Sequence, residues 1–594
     1  MYHAPVRDVR FVLEELLGAR SLSALPKLAE YSDELAQSVL EEAARFAQEV
    51  LDPLNRPGDT EGARWTEQGV VTAPGFREAY LKFVEGGWPQ LGADPEYGGQ
   101  RVPRALATAV AEFWASANLA FKLGPMLTHG AAHALELCGS RAQKQLFLRR
   151  MVRGEWSGTM VLTEAQAGSD LGQVRTRAIP EDGHYRLFGQ KIFITWGDHD
   201  LTANIIHMVL ARIDGAPPGV KGISLFVVPK VLVNADGSLG ARNEVRCLSI
   251  EHKLGIRASP TCVLAFGERT GAVGYLVGEP GHGLEYMFIM MNSARLSVGC
   301  EGYAVGERAF QRALDWARTR VQGRPPAVVS PAAAPAPIIN HPDVKRMLLT
   351  MKSQTEAARA LTLYAAWQFD VADYGTDAPA RAAARARGEL LTPIVKGWCT
   401  EIGNEVCATG VQVHGGMGFI EETGAAQYLR DARITTIYEG TTGIQSNDLL
   451  GRKLGKDHGA AMAGLIADAQ RELEALALTD AAAEAARRAA LEALQRLQRA
   501  TQALLGALVA RADLALAVSV PYLKLCGYVL GGWLLAKSAA LATAGTHGAE
   551  REFYRAKIRT AAFYAAQVLP LTAALAQVVE SGAASVVDTD ATLI

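Results

Sequence analysis

The sequence predicts an α+β protein that is mostly α-helical and is divided into four domains. Its 594 residues exceed the length over which a single hydrophobic core usually grows, so several domains are expected. A helical spacing of apolar residues gives way to short β-branched runs and then returns. We expect helices over 1–158, a β domain over 159–280, helices over 281–455 and a further helical domain over 456–594.

Composition narrows the function classes before any motif is considered. Hydrophobic residues make up 49% of the chain, charged residues make up 21%, and the formal net charge is −2. These values are typical of a folded soluble protein and argue against a nucleic-acid binder. The seven cysteines are scattered and form no CxxC pair, so neither a disulfide framework nor a metal site is predicted.

The first sixteen residues, "MYHAPVRDVRFVLEEL", include acidic side chains and lack the apolar core of a signal peptide. Scattered, unpaired cysteines are also usual in a reducing compartment. We therefore expect a cytoplasmic protein.

The elements of the first two domains follow from spacing and turn residues. Residues 28–54 carry apolar side chains at three- and four-residue intervals, the spacing of an amphipathic helix. "GGWPQLGADPEYGGQ" then breaks this pattern with Gly and Pro, which predicts a loop. The strands of the β domain are predicted where β-branched and aromatic runs lie between turn sequences, at 184–195, 204–213, 222–229 and 261–267.

Helical spacing resumes after residue 280 and is interrupted by a Pro/Ala-rich loop predicted over 325–342. The last domain contains an Ala/Leu helix with one apolar face, formed by Leu491, Leu494, Leu497, Leu504 and Leu508. From 456 to 594, thirteen Lys/Arg balance thirteen Asp/Glu. This balance favours a domain for packing or dimerisation over a nucleic-acid module.

One segment of the last domain has the length of a membrane span. Residues 560–579 carry no charge, but they are Ala-rich, include two Gln and are interrupted by Pro570. We expect a buried or dimer-facing helix there. Interfacial membrane contact by this helix stays open as an alternative.

Three separated segments carry the chemistry. "VLTEAQAGSDLG" (161–172) offers hydroxyls and a small-residue loop, which suit backbone donation toward a polar ring or a pyrophosphate. "GQKIFITWGDHD" (189–200) places Phe193 and Thr195 on the same face of a predicted strand. The pair "GVQVHGGMGF" (410–419) and "IYEGTTGIQ" (437–445) offers a Gly-rich close approach and then an acid, Glu439. No G-x-G-x-x-G opens a βαβ unit, so a Rossmann nicotinamide site is not expected.

Together and in this order, these segments resemble the acyl-CoA dehydrogenase family. "YHAPVRDVRFVLEEL", "HPDVKRML", "YEGTTGIQSNDLLGRKL" and the long helical tail resemble a large bacterial subgroup that includes methylthiopropanoyl-CoA dehydrogenases. The resemblance covers nearly the whole chain. It implies an N-terminal helical domain, a central β-barrel-like domain, a C-terminal four-helix-bundle-like domain and an additional helical C-terminal domain, in a homodimer with bound FAD.

The resemblance also assigns residues to FAD. It implies that the Thr195 hydroxyl lies at flavin N5, that Phe193 packs beside the isoalloxazine, and that Thr163 and Ser169 belong to the loop touching the ring and pyrophosphate. Further contacts, usually made from a neighbouring subunit or on the adenosine-diphosphate side, fall on Arg320, Gln322, Gln412, Gly416, Thr441 and Gly443.

The reaction implied is the oxidation of an acyl-CoA thioester to its trans-2-enoyl-CoA. Glu439 removes the α-proton while the β-hydrogen leaves as a hydride to flavin N5, and an electron-transfer flavoprotein accepts the electrons. Some relatives carry the acid on a distant helix, where this chain has Ala294, so the assignment falls on Glu439. The substrate contacts implied are Tyr438, Gly440, Asn292 and Arg295.

Three alternatives remain at this point. An acyl-CoA oxidase would keep the fold and pass electrons to O₂. A dehydrogenase-like protein could instead bind DNA and make little use of its flavin, although the charge balance of the last domain disfavours this. A membrane-associated long-chain enzyme would use residues 560–579 as its contact. The acyl chain of the substrate is left open among methylthiopropanoyl, medium straight-chain, long-chain and aryl groups.

Overall fold

A computed structural model of the protein describes residues 1–324 and 335–594. The first ten residues of the loop predicted over 325–342 therefore lie outside the described residues. The chain forms two compact units. The first contains Met1, Arg45–Val102 and Ala117–Ala294, and the second contains Tyr2–Ala44, Pro103–Ser116 and Arg295–Ile594.

The α-helices are α1 (Val6–Arg10), α2 (Asp33–Phe46), α3 (Asp52–Glu61), α4 (Phe76–Glu85), α5 (Arg104–Cys138), α6 (Arg141–Gln143), α7 (Arg149–Val152), α8 (Gly283–Thr319), α9 (Pro342–Tyr374), α10 (Ala378–His414), α11 (Ala425–Ala432), α12 (Thr442–Asp448), α13 (Gly455–Asp457), α14 (Ala460–Glu474), α15 (Ala481–Ala510), α16 (Ala512–Ala517), α17 (Ser519–Ala542), α18 (Arg551–Gln567), α19 (Leu571–Ser581) and α20 (Ala584–Val587).

The strands are β1 (Arg64–Thr66), β2 (Gly69–Val71), β3 (Trp156–Val161), β4 (Arg177–Glu181), β5 (His184–Thr195), β6 (Asn204–Ile213), β7 (Ile223–Pro229), β8 (Val231–Val233), β9 (Leu239–Arg242), β10 (Val245–Ile250), β11 (Thr261–Phe266) and β12 (Ala272–Val277). All of them belong to the first unit. Every strand predicted from the sequence is present in this set.

The main sheet of the first unit closes on itself. Strand β5 pairs with β12, β12 with β7, β7 with β6, β6 with β4, and β4 with β5 again. This circuit of five strands leaves no edge, which is the defining property of a barrel. Strands β7 and β11 are buried along their whole length, as their largely apolar sequences require. The predicted β-barrel-like domain is confirmed.

The second unit is built from long helices. Helices α9 and α10 pack against each other, and the apolar helix α17 packs against α9, α10, α15 and α18. On α15, three of the five predicted face residues, Leu494, Leu497 and Leu504, are buried. The N-terminal segment joins this unit because the Arg7 guanidinium lies 2.8 Å from the Glu550 carboxylate and Phe11 contacts Phe553. The α+β, mostly helical fold class is confirmed.

The single helix expected over 560–579 is two helices in the structure. Helix α18 ends at Gln567 and α19 begins at Leu571, with a bend of 42° between them. Pro570, which lacks a backbone N–H, stands immediately before α19 and explains the break. Among the described residues, Ser519–Gly545 is the one unbroken helix with the length and apolarity of a membrane span, and 89% of its most apolar window is buried inside the protein.

Candidate active site

Glu439 lies in a tight turn immediately before α12. Its φ is +54° and that of Gly440 is +92°, so two consecutive residues adopt left-handed backbone conformations. For a residue with a side chain, this conformation costs on the order of 1–3 kcal/mol and persists when surrounding contacts hold it. The sequence Glu-Gly places the tolerant residue at the second of these positions.

Side chains hold both carbonyl groups of this turn. The Gln445 amide donates to the Glu439 carbonyl oxygen at 3.1 Å and to the Gly440 carbonyl oxygen at 3.4 Å. The Lys396 ammonium donates to the Gly440 carbonyl oxygen at 2.5 Å. The Thr441 hydroxyl then caps α12 by accepting from the Ile444 N–H at 3.2 Å. The backbone that carries Glu439 is therefore held by Lys396 from α10 and by Gln445 from α12.

The surroundings of Glu439 bring the pKa of its carboxyl close to neutral pH. Burial raises the pKa of its carboxyl, the Arg295 and Lys396 cations lower it, and Glu301 raises it, with a resulting pKa of about 7. The residue keeps part of its surface exposed. It is thus a carboxyl that exchanges a proton near pH 7 and can be approached from outside, the two properties that a general base needs.

Tyr438 and Arg295, both predicted to contact substrate, are held by acids in this structure. The Tyr438 hydroxyl donates to the Glu301 carboxylate, and burial followed by the Glu301 charge raises the pKa of Tyr438 well above its usual value. The Arg295 guanidinium is buried and lies 3.2 Å from the Asp448 carboxylate. Asn292 is exposed three residues earlier on α8. Their roles toward substrate stay predictions.

In the first unit, the strand predicted to face the flavin contains a β-bulge. The pairing of β5 with β11 shifts so that both Ile192 and Phe193 stand opposite Val263, and Phe193 has a φ of +58°. Side chains normally alternate between the two faces of a strand, and Phe193 and Thr195 were predicted to share a face on that basis. The bulge interrupts this alternation. Phe193 is nevertheless 58% exposed and Thr195 is half-buried, while the intervening Ile194 is buried. The bulge turns a large aromatic ring toward the outside of the sheet.

A buried ion pair anchors the loop 161–172 to this strand. The Glu164 carboxylate accepts from the Arg175 N–H at 2.7 Å and lies 2.9 Å from the Lys191 ammonium. Lys191 also donates to the Leu162 carbonyl oxygen at 2.8 Å. Burial opposes the charge of Glu164, but Lys191 and the hydrogen bonds outweigh it and hold the pKa of the carboxyl at about 2. Thr163 is half-buried and Ser169 is exposed on the loop that is fixed in this way.

The residues present fit an FAD. The first unit carries accessible groups of the required chemistry: an exposed aromatic ring at Phe193, and hydroxyls at Thr163, Ser169 and Thr195. In the second unit, a Cβ built on Gly415 or Gly416 would meet nothing within 4 Å, which leaves the backbone open to close approach by a ligand. The remaining predicted contacts there include exposed side chains, namely Arg320, Gln322, Gln412 and Thr441, with Gly443 half-buried.

Four residues around Glu439 were missed by sequence reasoning: Lys396, Glu301, Gln445 and Asp448. A signal for Lys396 existed, because it is the one charged residue in "LLTPIVKGWCT", a run apolar enough to be buried. A lysine in such a place must find acceptors, since burying an unpaired ammonium is costly. What the run could not show is which acceptors these are.

Two further features lie outside the predicted sites. A cavity of about 330 Å³ in the first unit contains none of the predicted site residues and is lined by Trp65, Glu67, Gly69, Asp198, Arg242, Arg246 and Cys247. Within residues 1–324 and 335–594, no group of three or more His, Cys, Asp or Glu side chains is arranged to hold a metal ion.

Family models match nearly the whole chain. Models of the acyl-CoA dehydrogenase N-terminal, middle and C-terminal domains match residues 33–155, 159–268 and 281–454, and a model described as acetyl-CoA dehydrogenase C-terminal like matches 461–590. The chain belongs to the acyl-CoA dehydrogenase family. The resemblance noted in the sequence is confirmed, and the protein is an FAD-dependent oxidoreductase that dehydrogenates acyl-CoA thioesters.

Named relatives match this acyl-CoA dehydrogenase over nearly their whole length. It is 48% identical over 577 residues to the 3-methylmercaptopropionyl-CoA dehydrogenase of Ruegeria pomeroyi, covering 96% of each chain. It is 36% identical to the broad-specificity linear acyl-CoA dehydrogenase FadE5 of Mycobacterium tuberculosis, covering 98% of this chain and 97% of the relative. A butyryl-CoA dehydrogenase of Syntrophomonas wolfei is 34% identical, with coverage of 96% and 95%.

Solved structures share the fold of this acyl-CoA dehydrogenase. Caenorhabditis elegans ACDH-11 in complex with C11-CoA superposes with a TM-score of 0.77 at 20% identity, covering 96% of this chain and 92% of that one. A Bacillus anthracis acyl-CoA dehydrogenase complexed with FAD gives a TM-score of 0.73 at 21% identity, with coverage of 96% and 91%. Both comparisons extend through the additional C-terminal domain.

Proposed function

We propose that Glu439 is the general base that removes the α-proton of an acyl-CoA thioester in this enzyme. The observation that carries the proposal is a carboxyl on a clamped left-handed turn, with its pKa raised to about 7 by burial. An α-proton next to a thioester is a very weak acid, so a solvated carboxylate of ordinary pKa would be a poor base. A base whose pKa lies near the working pH combines strength with a substantial ionised fraction.

The groups of the proposed site have separate roles in the reaction. Ionised Glu439 accepts the α-proton on its carboxylate and becomes neutral, which its partly desolvated surroundings favour. Its backbone N–H is the proposed donor to the thioester oxygen, where negative charge develops. Bound FAD supplies the acceptor for the β-hydride. The holders of FAD would be Thr163, Ser169, Phe193 and Thr195, with further contacts from a neighbouring subunit or on the adenosine-diphosphate side by Arg320, Gln322, Gln412, Gly416, Thr441 and Gly443.

For the substrate, the relatives support a short acyl-CoA, with 3-methylmercaptopropionyl-CoA the first to test. The relative named for that thioester is 48% identical, whereas those named for linear or butyryl substrates are 36% and 34% identical. We further propose an electron-transfer flavoprotein as electron acceptor, a homodimer with Tyr438, Gly440, Asn292 and Arg295 along the substrate, and a cytoplasmic location. An exposed apolar cluster, Met417, Phe419 and Ile420, supports association of two copies.

The test is an anaerobic visible spectrum of the FAD-loaded protein during titration with a panel of acyl-CoA thioesters. The panel contains 3-methylmercaptopropionyl-CoA, butyryl-CoA, a medium straight-chain, a long-chain and an aryl thioester. Bleaching of the flavin band by the first of these supports the assignment of substrate. Bleaching by another thioester alone would replace that substrate class and keep the reaction, and no bleaching by any would contradict the proposal.

Glu439→Gln is the matched variant, because it removes the base and keeps the size of the side chain. It should retain FAD and lose the bleaching, and bleaching at the wild-type rate would contradict the role of Glu439. Oxygen uptake with peroxide formation during turnover would favour the oxidase alternative over a flavoprotein acceptor. A salt-sensitive gel shift with DNA would support the DNA-binding alternative.

A further inference from the structure

Lys396 is a buried lysine in direct contact with the turn that carries Glu439. It lies on α10 and is fully enclosed, and its ammonium donates to the Gly440 carbonyl oxygen at 2.5 Å. That carbonyl belongs to the residue after the base, on the left-handed turn. A contact of this kind fixes the position of the turn and at the same time places a positive charge beside it.

The charges around this turn come from four elements. Helix α8 contributes Arg295 and Glu301, α10 contributes Lys396 and Glu401, the segment from α12 into the following turn contributes Asp448 and Arg452, and α17 contributes Lys524. Arg295 is engaged by Asp448 at 3.2 Å, and Lys524 lies 3.3 Å from Glu401. Lys396 therefore carries one positive charge among three carboxyls, Glu439, Glu301 and Glu401, and Glu401 is shared with Lys524.

We propose that Lys396 is a positioning residue for the base: it anchors the Glu439–Gly440 turn through the Gly440 carbonyl, and its charge favours the ionised, proton-accepting form of Glu439. This inference rests on the proposed role of Glu439. Lys396 lies outside the sequence motifs, and the inference gives it an electrostatic role in addition to its hydrogen bond.

Lys396 and Glu439 interact in a buried site of low dielectric constant. Coulomb interactions are several times stronger in a protein interior than in water, so a buried ammonium near a carboxylate strongly favours the charged form of that carboxylate. Without Lys396, burial and the charge of Glu301 would still raise the pKa of Glu439, and Arg295 would oppose them. The pKa of Glu439 would then rise further, and less of it would be ionised at neutral pH. Burial also lowers the pKa of Lys396 itself, to about 7, so its charge is sensitive to its surroundings.

The experiment compares Lys396→Met, Lys396→Gln and Lys396→Arg with wild type as FAD-loaded enzymes. Met removes the charge and the donor, Gln keeps a donor without charge, and Arg keeps both. The rate of anaerobic flavin bleaching by a thioester that reduces the wild type is measured from about pH 5 to 9. Lys537→Met is the control, because it removes a lysine of the same unit that pairs with Glu472 on the surface.

For Met and Gln, we expect the acid limb of the profile to move up by about one pH unit, with about a fivefold loss of rate at pH 7. For Arg, the limb should stay near its wild-type position even where the maximal rate falls. The control should superpose on wild type. If Lys396→Met does not bind FAD, the comparison of Lys396→Gln with wild type tests the effect of the charge.

Two results would overturn the inference: profiles of Met and Gln that superpose on wild type, or equal losses in Met, Gln and Arg with the acid limb unmoved, which is what a purely structural role gives. Glu439→Gln is measured in the same series. If it bleaches like wild type, the proposed function fails; if it is inactive while the Lys396 variants behave as wild type, the inference about Lys396 fails by itself.

Discussion

The Glu164 carboxylate lies 2.9 Å from the Lys191 ammonium, and both side chains are buried in the first unit. This pair joins the loop carrying Thr163 and Ser169 to the strand carrying Phe193 and Thr195, so these four of the residues predicted to hold FAD share one support. The Ile192 N–H adds a hydrogen bond to the Thr163 carbonyl oxygen at 2.9 Å. Removing one partner of a buried pair leaves a desolvated charge behind, which is the costly change.

Lys191→Met is therefore predicted to lower the free energy of unfolding by about 3–5 kcal/mol and to weaken FAD retention. Glu164→Gln combined with Lys191→Met removes both charges and should be less destabilised than Lys191→Met alone. Denaturant unfolding and the ratio of flavin to protein absorbance measure the two effects. The coupling would be contradicted if the double variant lost as much free energy of unfolding as Lys191→Met and Glu164→Gln lose together.

The same pair predicts an acid sensitivity. The pKa of Glu164 is lowered to about 2 in the folded protein from an ordinary value of 4.5, because Lys191 and hydrogen bonds outweigh the opposing effect of burial. Its contribution to stability is therefore present above about pH 4.5 and is lost as the pH falls toward 2. Unfolding measured between these limits should show a shallower pH slope in Glu164→Gln than in wild type. Equal slopes would argue against this carboxylate as the titrating group.

The pH dependence of catalysis follows from Glu439. Burial raises the pKa of this carboxyl to about 7, and the base must be ionised to accept the α-proton. The rate of flavin bleaching should rise with pH through about 7 and then level off as ionisation of the base is completed. Glu439→Asp shortens the side chain by one methylene and should cost about 10²-fold in rate while FAD stays bound. A rate independent of pH across this range would place the proton acceptor elsewhere.

Arg359 offers a stability test in the second unit. Its buried guanidinium lies 2.6 Å from Glu112 and 2.8 Å from Glu307. Arg359→Met leaves two carboxylates without this cation and should cost about 3–5 kcal/mol in the free energy of unfolding. Arg385→Met is the matched control, because Arg385 is half exposed in its pair with Asp373 and exposed pairs contribute about 0–1 kcal/mol. Similar losses in both variants would show that burial does not determine how much an ion pair contributes to the free energy of unfolding.

Gly416 offers a test of the cofactor surface. A Cβ at this position meets nothing within 4 Å, so Gly416→Val should fold normally. If a cofactor lies against this backbone, the added side chain should weaken FAD binding about tenfold, a change of about 1.4 kcal/mol. Gly464→Val is the control at an equally open glycine on α14. Unchanged FAD affinity in Gly416→Val would remove this glycine from the cofactor site.

The sequence by itself determined the order of helical and β domains, the strands near 184–195 and 204–213, the family and the acid expected to act as base. These follow from local spacing and from short motifs, which are written in neighbouring residues. The tertiary structure decided three other things. It closed five strands into a barrel, inserted a bulge at Phe193, and divided the apolar segment at Pro570 into two helices.

Above all, the tertiary structure brought Arg295 and Glu301 from α8, and Lys396 from α10, to Glu439. A pKa depends on burial and on charges that approach through space, and neither can be counted along the chain. The sequence therefore determined which residue is the candidate base, and only folding determined how strong a base it is.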